Sequence, residues 1–270
     1  MKKILVIFLM CLFTMMTAWQ AFSADSINEL VKEDTVGCGH HLSGGDSDDY
    51  VVFNPQNESF PLVVGNQAAP LVVSGDDYPG VIRAVDDLQL DISKVTDMEP
   101  TVSVDTIPEA EEIVIIGTIG KSPLIDKLIQ NQRLNVDDIK GKWETFILET
   151  VKDPFPNVGS ALVITGSDQR GTIFGIYDLS EQIGVSPWHF WDDVPPIQRN
   201  NLYVLQGRHT KGEPAVKYRG LFINDENPAL GTWGPEYFGP GHHPDYEGGF
   251  NKELFSKVFE VILRLKANYL

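Results

Sequence analysis

The stretch ALVITGSDQRGTIFGIYDLSEQI, residues 161–183, decides the fold class of this chain. It begins with a continuous apolar run, residues 161–165, of the kind found in a buried strand. Asp168 follows at the position where a helix N-cap is expected. Apolar side chains then recur at helical spacing, namely Ile173, Ile176, Tyr177, Leu179 and Ile183. The stretch therefore predicts a buried strand that leads directly into an amphipathic helix.

The same alternation extends toward the N-terminus. A continuous β-branched run at residues 113–117 is typical of a strand that is covered on both faces. Residues 143–151 alternate between apolar and polar, as a half-buried strand does. Shorter apolar runs at residues 61–65 and 71–74 are bounded by Gly, Pro and Asn and also indicate strands.

Two further helices are predicted between these strands. Pro79 and Pro123 suit the first turn of a helix, and each precedes apolar residues at helical spacing. These residues are Val81, Ile82, Val85, Leu88 and Ile92 in one helix and Leu124, Ile125, Leu128 and Ile129 in the other. Strands that alternate with helices predict an α/β, sandwich-like domain, to which we assign residues 61–205.

The charge balance excludes some classes of partner. The chain has 21 Lys and Arg against 38 Asp and Glu, a formal net charge of −17. Nucleic acids and anionic membrane surfaces require basic patches, so neither is expected to bind. An anionic small substrate stays open, because a local pocket can oppose the net charge. No cofactor is expected.

The N-terminus has the order of a secretory signal. Two lysines open the chain, residues 4–19 are almost wholly apolar, and Ala21 and Ser23 are small residues at the −3 and −1 positions. We interpret residues 1–23 as a cleavable signal peptide and expect a periplasmic or secreted protein. An uncleaved N-terminal anchor is the alternative. A lipoprotein is disfavoured because methionine precedes the cysteine in the apolar run.

Two polar clusters could suggest a metal site. Cys38 lies beside two histidines in a polar, irregular segment that spans residues 24–60. His242, His243 and Asp245 follow a Gly-Pro-Gly sequence. Neither cluster has a further ligand at useful spacing, so we interpret both as loops and expect no metal.

An aromatic connector follows the α/β domain. Trp188, Phe190 and Trp191 lie within residues 186–196, a segment rich in proline. Three aromatic side chains so close together are seldom all exposed to solvent. We expect them to pack in a seam between two domains. A platform on which sugar rings stack is the alternative.

A second unit begins near residue 216. Residues 217–223 alternate like a strand and lead into Asn224, Asp225 and Glu226. Carboxylates and amides at the end of a strand are how a (β/α)8 TIM barrel presents its site at the C-terminal face. Capping of the strand end is the alternative role for these three residues.

A loop and a helix follow this predicted strand. Residues 231–249 are rich in Gly, Pro and aromatic residues, which indicates a loop that contains Trp233. Asn251 suits the N-cap of a helix, and residues 267–270 resemble the beginning of the next strand. The core stripe of the helix is Leu254, Val258, Val261, Ile262 and Leu265. One βα unit cannot close a barrel, so we expect residues 215–270 to be weakly protected from hydrogen exchange.

Four segments carry a resemblance to a known family. They are GSDQRGTIFGIYDLSEQIGVSPW (166–188), YRGLFINDE (218–226), Phe250-Asn251 and LRLKANYL (263–270). Together they resemble glycoside hydrolase family 115, whose members are xylan α-1,2-glucuronidases. The resemblance implies inverting removal of glucuronic acid, or its 4-O-methyl form, from xylan. It also implies an α/β helper domain before a catalytic (β/α) barrel.

The resemblance further implies that this chain is the N-terminal part of a longer enzyme. Residues 206–270 would be the start of the barrel, truncated before the downstream catalytic carboxylates. The fragment itself is then expected to be inactive. Glucuronoxylan would be the polysaccharide substrate, and a homodimer of the full-length protein stays open.

Residue chemistry agrees with this resemblance. An inverting glycosidase needs an acid and a base about 6.5–9.5 Å apart. Asp225 and Glu226 are consecutive, so on a strand their side chains diverge. We expect one of them to face the site and the other to brace it. Asn224 can bind sugar hydroxyls, and Trp233 could stack on a sugar or simply pack.

Two other functions stay open. One is a carbohydrate-binding or scaffold fragment without turnover. The other is a different glycosidase, such as a β-hexosaminidase-like enzyme that shares the helper domain. The motif at residues 224–226 disfavours this last alternative.

Overall fold

A six-stranded sheet lies at the centre of the computed structural model, which describes residues 49–243, 246–247 and 249–270. Across the sheet the order is β10 (Arg208–Lys211), β7 (Phe146–Lys152), β8 (Ser160–Gly166), β6 (Glu112–Thr118), β4 (Leu71–Val73) and β5 (Val102–Val104). Strands β4, β5, β6 and β8 are parallel, whereas β7 and β10 join antiparallel at one side. The predicted mixed α/β class is confirmed.

Smaller strands and the helices complete the described elements. A four-stranded sheet has the order β1 (Val51–Val52), β9 (Leu202–Val204), β2 (Phe60–Val64) and β3 (Gln67–Ala68). A short hairpin pairs β11 (His242–His243) with β12 (Tyr246–Glu247). The helices are α1 (Pro79–Thr96), α2 (Pro123–Gln130), α3 (Gln169–Gln182), α4 (Leu230–Phe238) and α5 (Lys252–Arg264).

The central sheet is buried on both faces because its strands are apolar throughout. Leu162 and Ile164 of β8 belong to the core shared with α1 and α3. Ala161 and Val163 belong to a second core that contains the inner side of α2. Successive side chains of a strand point to opposite faces, so a continuous apolar run supplies both cores. The predictions of a doubly covered strand at residues 113–117 and of a buried strand at residues 161–165 are therefore confirmed.

Local capping signals were also correct. Asp168 accepts a hydrogen bond from the Gly171 amide at 2.7 Å and so caps α3. The side chain of Asn251 accepts a hydrogen bond from the Leu254 amide at 3.1 Å and caps α5.

The region after residue 212 differs from the expectation in two ways. Residues 217–223 form no strand ladder among the described residues; a single parallel bridge joins Gly220 to Tyr269. A ladder needs partners along its length, and only residues 268–269 lie alongside here. The predicted loop that begins at residue 231 instead starts with helix α4.

Helix α5 packs against the helper domain. Arg264, which is 3% exposed, forms an ion pair with Asp91 of α1 at 2.7 Å and with Glu260 at 2.9 Å. Lys266 contacts Asp178 of α3 at 3.2 Å. These buried contacts change the expectation of weak protection: we now expect it for residues 217–226 but not for α5.

Several expectations lie outside the described residues or remain open. The signal peptide, Cys38 and Asp245 are not described. The boundary at residue 205 stays a prediction, although β10 continues the helper sheet to Lys211. Within the described ranges, no helix is long and apolar enough to cross a bilayer.

Candidate active site

An open cleft of about 740 Å³ lies beside the parallel bridge between Gly220 and Tyr269. Its walls are mainly apolar and come from both ends of the second unit. The lining residues are Leu221, Phe222, Ile223, Phe250, Phe255 and Leu270, together with Gly220, Asp225 and Tyr269. Phe222 is 91% exposed, the highest value among the large apolar side chains of the described residues. A volume of this size can hold a small ligand or one to two sugar rings.

Asp225 and Glu226 occupy different positions relative to this cleft. Asp225 is the sole carboxylate among the described residues that line it. Glu226 does not line the cleft, and its carbonyl oxygen accepts a hydrogen bond from the Gly231 amide at 3.2 Å. Both side chains are exposed. Asp225 is thus available to a ligand, whereas the Glu226 backbone is tied to the first turn of α4.

The segment around these carboxylates rests closely on α4. A Cβ atom at Gly231 would lie 2.3 Å from the Asp225 carbonyl oxygen, so only glycine allows this approach. Thr232 contributes a second link, because its hydroxyl donates to the Asn227 side chain at 2.9 Å. Asn224, the predicted sugar contact, is exposed. The N-terminal turn of α4 therefore sets the path of residues 224–227.

Trp233 lies on helix α4 rather than in a loop. Its ring stacks on Tyr237 with centroids 5.0 Å apart and lies 5.9 Å from the ring of Trp191 in the connector. Trp191 also donates a hydrogen bond to the Lys257 carbonyl of α5 at 3.3 Å. Phe190 and Trp191 of the connector therefore pack against α4 and α5, as expected. Trp233 is 39% exposed, so part of its surface stays accessible to a ligand.

Sequence reasoning missed most of the apolar lining of the cleft. Phe250, Phe255 and Tyr269 are far from Asp225 in sequence, and each had a plausible structural role of its own. The Phe250-Asn251 pair was noted only for its resemblance to the family. Exposed aromatic residues flanking a polar strand end would have been the available signal.

A second cleft of about 550 Å³ lies on the helper domain, away from these residues. It is formed by the turn between β7 and β8 and by the end of α2. Its polar lining residues are Glu111, Asn131, Arg133, Asp153 and Asn157. None of the residues singled out from the sequence lies there.

The described residues contain no group of three or more His, Cys, Asp or Glu side chains that could hold a metal ion. The chemistry available at the first cleft is thus that of one accessible carboxylate, a neighbouring amide and aromatic walls. This combination suits a carbohydrate, because carboxylates and amides bind hydroxyl groups and aromatic rings pack on sugar faces.

Comparison with known proteins identifies the family. The model of glycosyl hydrolase family 115 matches residues 211–270, which include the cleft and Asp225. A solved structure of a family GH115 4-O-methyl-α-glucuronidase with specificity for decorated arabinogalactans is 34% identical, with a TM-score of 0.64. The match covers 78% of this chain and 25% of that protein, so the chain spans about a quarter of the length of this relative.

Other similarities are weaker. A Streptomyces plicatus N-acetyl-β-hexosaminidase is 14% identical with a TM-score of 0.38, over 80% of this chain and 43% of that protein. A similarity this low supports no inference about function. No curated protein sequence matches the chain. On the family model and the 34% identical structure, the chain belongs to glycosyl hydrolase family 115.

Proposed function

We propose that this chain is part of an exported glycoside hydrolase that removes glucuronic acid, or its 4-O-methyl form, from side branches of a plant polysaccharide. The reaction would be an inverting hydrolysis, in which a water molecule attacks the sugar while an acid protonates the leaving oxygen. Residues 206–270 would form the beginning of a (β/α) barrel whose C-terminal face carries the site.

The observation that carries this proposal is the position of Asp225. It lines the cleft on the C-terminal side of Gly220, whose bridge to Tyr269 is parallel. Helix α4, the β11–β12 hairpin and helix α5 lie between these two segments, so a largely helical connection joins two extended segments with parallel pairing. Such a unit is the building block of a (β/α) barrel, in which catalytic groups lie after the strands.

Asp225 and Glu226 would have separate roles. Asp225 faces the cleft and would act as one of the two carboxyl groups, or orient the attacking water. Glu226 would brace the loop that α4 supports. Asn224 would bind sugar hydroxyls, and the accessible part of Trp233 would contact a neighbouring sugar.

Two polysaccharides are candidates for the main chain of the substrate. The family resemblance indicates glucuronoxylan, whereas the 34% identical relative is described as specific for decorated arabinogalactans. Both polymers carry the same uronic acid unit, and the cleft beside Asp225 has room for that unit. The assay should therefore compare both polymers directly.

The decisive experiment measures release of glucuronic acid and 4-O-methylglucuronic acid by the full-length enzyme from glucuronoxylan and from arabinogalactan. Proton NMR of the first product formed would establish whether the anomeric configuration inverts. Release from either polymer supports the proposal and identifies the main chain. No release from either would refute it.

We expect residues 1–270 alone to be inactive in the same assay. A pair of carboxyl groups is required, and Asp225 is the one carboxylate among the described residues of the cleft. Turnover by the purified 270-residue chain would overturn this expectation.

A second candidate is carbohydrate binding without turnover. The aromatic walls of the cleft and its single carboxylate favour this role for the chain by itself. Affinity electrophoresis of the 270-residue chain in gels with and without glucuronoxylan separates the two cases, because a binding fragment is retarded even where it releases no uronic acid.

Export is proposed on the order of residues at the N-terminus, with cleavage between Ser23 and Ala24. Mass spectrometry of the protein from the periplasmic or secreted fraction should find Ala24 as the first residue. A protein that retains Met1 there would contradict cleavage.

A further inference from the structure

A buried carboxylate in the helper domain binds two neighbouring extended segments, one around Arg219 and one around Asn268, which we call the extended pair. The first of these segments leads to the proposed site. Glu144 precedes strand β7 and is 2% exposed. Its oxygens contact Arg170 Nε at 2.6 Å, Arg219 Nη2 at 2.6 Å and Asn268 Nδ2 at 2.8 Å. Its own amide donates to the Asp168 side chain at 2.9 Å. Glu144 is therefore anchored to the cap of α3 while it binds two residues of the second unit.

Arg219 and Asn268 are neighbours across the extended pair. The Arg219 amide donates to the Asn268 side chain at 3.1 Å, and the Asn268 amide donates to the Arg219 carbonyl at 2.8 Å. The Tyr269 amide donates to the same carbonyl at 3.0 Å. A single carboxylate thus binds one side chain from each partner, immediately before the bridge between Gly220 and Tyr269.

The same two side chains also bind the backbone at the start of each segment of the pair. Arg219 Nε and Nη2 donate to the Lys266 carbonyl at 3.0 and 2.6 Å. Asn268 Nδ2 donates to the Lys217 carbonyl at 2.8 Å. The pair has no strand ladder among the described residues, but the Leu221 amide donates to the Tyr269 carbonyl at 3.3 Å, and Leu221 and Ile223 pack against the core on the inner side of α5. Glu144 adds a buried carboxylate of the helper domain that binds one side chain from each of the two segments.

Glu144 is not among the residues that line the cleft beside Asp225. It contacts Arg219, and Asp225 lies six positions further along the chain. Any effect on the reaction must pass through the position of residues 219–225. A displacement of about 1 Å at a reacting group can reduce a rate by about 100-fold.

We infer that Glu144 is a positioning residue: it fixes the extended pair of Arg219 and Asn268 and through it the placement of Asp225. This inference rests on the proposed function for its catalytic consequence, although its structural part does not. It assigns the helper domain a direct part in building the site, in addition to its contribution to stability.

Asp91 provides a matched control. It is also fully buried in the helper domain and also binds a cation from the second unit, namely Arg264. Arg264 lies at the end of α5 and makes no contact with the extended pair in the described structure. Glu144→Gln and Asp91→Asn are both isosteric changes that remove the charge of a buried carboxylate paired with a cation of the second unit.

The first experiment is hydrogen exchange on the 270-residue chain carrying either change, read by mass spectrometry at equal distance below each melting temperature. We expect Glu144→Gln to raise exchange at least 10-fold in peptides covering residues 217–226 and to leave α5 nearly unchanged. Asp91→Asn should show the reverse. Equal exchange of residues 217–226 in both variants would overturn the inference.

A second variant tests the inference even if Glu144→Gln does not fold. Asn268→Ala removes one donor to Glu144, together with the bonds of the Asn268 side chain to the Arg219 amide and the Lys217 carbonyl, and leaves both arginines paired with Glu144. It should raise exchange in the same peptides by a smaller factor. An unchanged exchange pattern in this variant would also count against the inference.

The second experiment uses the full-length enzyme. We expect Glu144→Gln to lower kcat at least 10-fold with KM changed less than about twofold, at temperatures where the protein is folded. Asp91→Asn should change neither by more than about twofold. An unaltered kcat in Glu144→Gln overturns the positioning role, whereas an inactive wild-type enzyme overturns the proposed function and leaves the exchange result to decide the structural part.

Discussion

Single residues near the proposed site differ in what holds them. Asp225 lines the cleft and is exposed, whereas the Glu226 backbone is bonded to the first turn of α4. Consecutive carboxylates of the same chemical type thus acquire different environments from the path of the backbone. The difference leads to a direct test of which one contacts the substrate.

Replacing Asp225 by Asn in the full-length enzyme should lower kcat/KM by about 100-fold to 10,000-fold, the usual contribution of a positioned acid or base. Glu226→Gln, its matched control, should lower kcat/KM by less than about 10-fold. Release of uronic acid at saturating and limiting polymer concentrations measures both. Reversed losses would assign the facing role to Glu226 instead.

Arg264 is the most deeply buried cation of the second unit, and it should be essential to stability. Arg264→Met would leave Asp91 and Glu260 without their main partner. Breaking a buried pair in this way typically costs about 3–5 kcal/mol. Urea unfolding followed by circular dichroism measures the loss. Arg83→Met removes two longer ion pairs, to Asp87 at 3.7 Å and to Glu260 at 3.9 Å, from an arginine side chain that is 45% exposed, and should cost less than about 1 kcal/mol.

At the scale of elements, α4 and α5 pack together and support the proposed site. Gly234 of α4 packs so closely on α5 that a Cβ atom there would lie 2.6 Å from Leu254 Cδ1. Asn251 joins the two helices, because its Nδ2 donates to the carbonyls of Phe238 and Gly239 at 2.7 and 3.1 Å while its Oδ1 caps α5. The Asn251 side chain thus binds carbonyls at the C-terminal end of α4 and caps the N-terminus of α5.

Asn251→Ala should therefore destabilise the chain by about 1–2 kcal/mol, at the upper end of the range for an N-cap. Ser122→Ala is the contrasting change at the N-cap of α2. Ser122 makes no capping hydrogen bond and its buried hydroxyl has no partner among the described residues. Removing an unsatisfied buried hydroxyl should be close to neutral. Chemical denaturation compares the two, and equal losses would contradict the role of the Asn251 side chain.

At the scale of the whole molecule, buried carboxylates of the helper domain form ion pairs with cations of the second unit. Asp91 binds Arg264, Glu144 binds Arg219, and Asp178 binds Lys266. Burial disfavours the charge on Lys266, yet the nearby carboxylates of Asp178 and Glu181 raise its pKa above the usual value. The two units are consequently joined by ionic contacts that water does not reach easily, as well as by apolar packing.

Acid should weaken this junction. Burial disfavours the charged form of Glu260, but the hydrogen bond from Lys257 and the charge of Arg264 outweigh it and lower the pKa of Glu260 to about 2. A carboxyl whose pKa is lower in the folded than in the unfolded state stabilises the fold above the unfolded pKa of about 4.5. That contribution is lost as the pH falls from about 4.5 toward 2.

The difference in unfolding free energy between wild type and Glu260→Gln should therefore be largest near pH 7 and shrink as the pH falls below about 4.5. Urea unfolding at pH 7, 4.5 and 3 measures it. The exposed pair of Lys152 and Glu58 supplies the control Glu58→Gln, which should show little difference at any of these pH values. A gap that stays constant with pH would contradict the role of the Glu260 charge.

The sequence by itself determined the mixed α/β class, the doubly covered strands, the caps at Asp168 and Asn251 and the resemblance to the family. These signals are local: a cap acts within three or four residues, and an apolar run reports the burial of its own strand. Helix α4 was missed because Gly231, Gly234 and Pro235 all argue against a helix locally. Packing of Gly234 on α5 outweighs them.

Only the tertiary structure decided which carboxylate lines the cleft and which cations the helper domain holds. The pairing of Asp91 with Arg264 joins positions 173 residues apart, and that of Glu144 with Arg219 joins positions 75 apart. No periodicity links such positions, because each depends on how independent elements pack. The type of the long strands and helices of the helper domain could thus be argued from neighbouring residues, whereas the site and its support depend on contacts between segments that are distant in the chain.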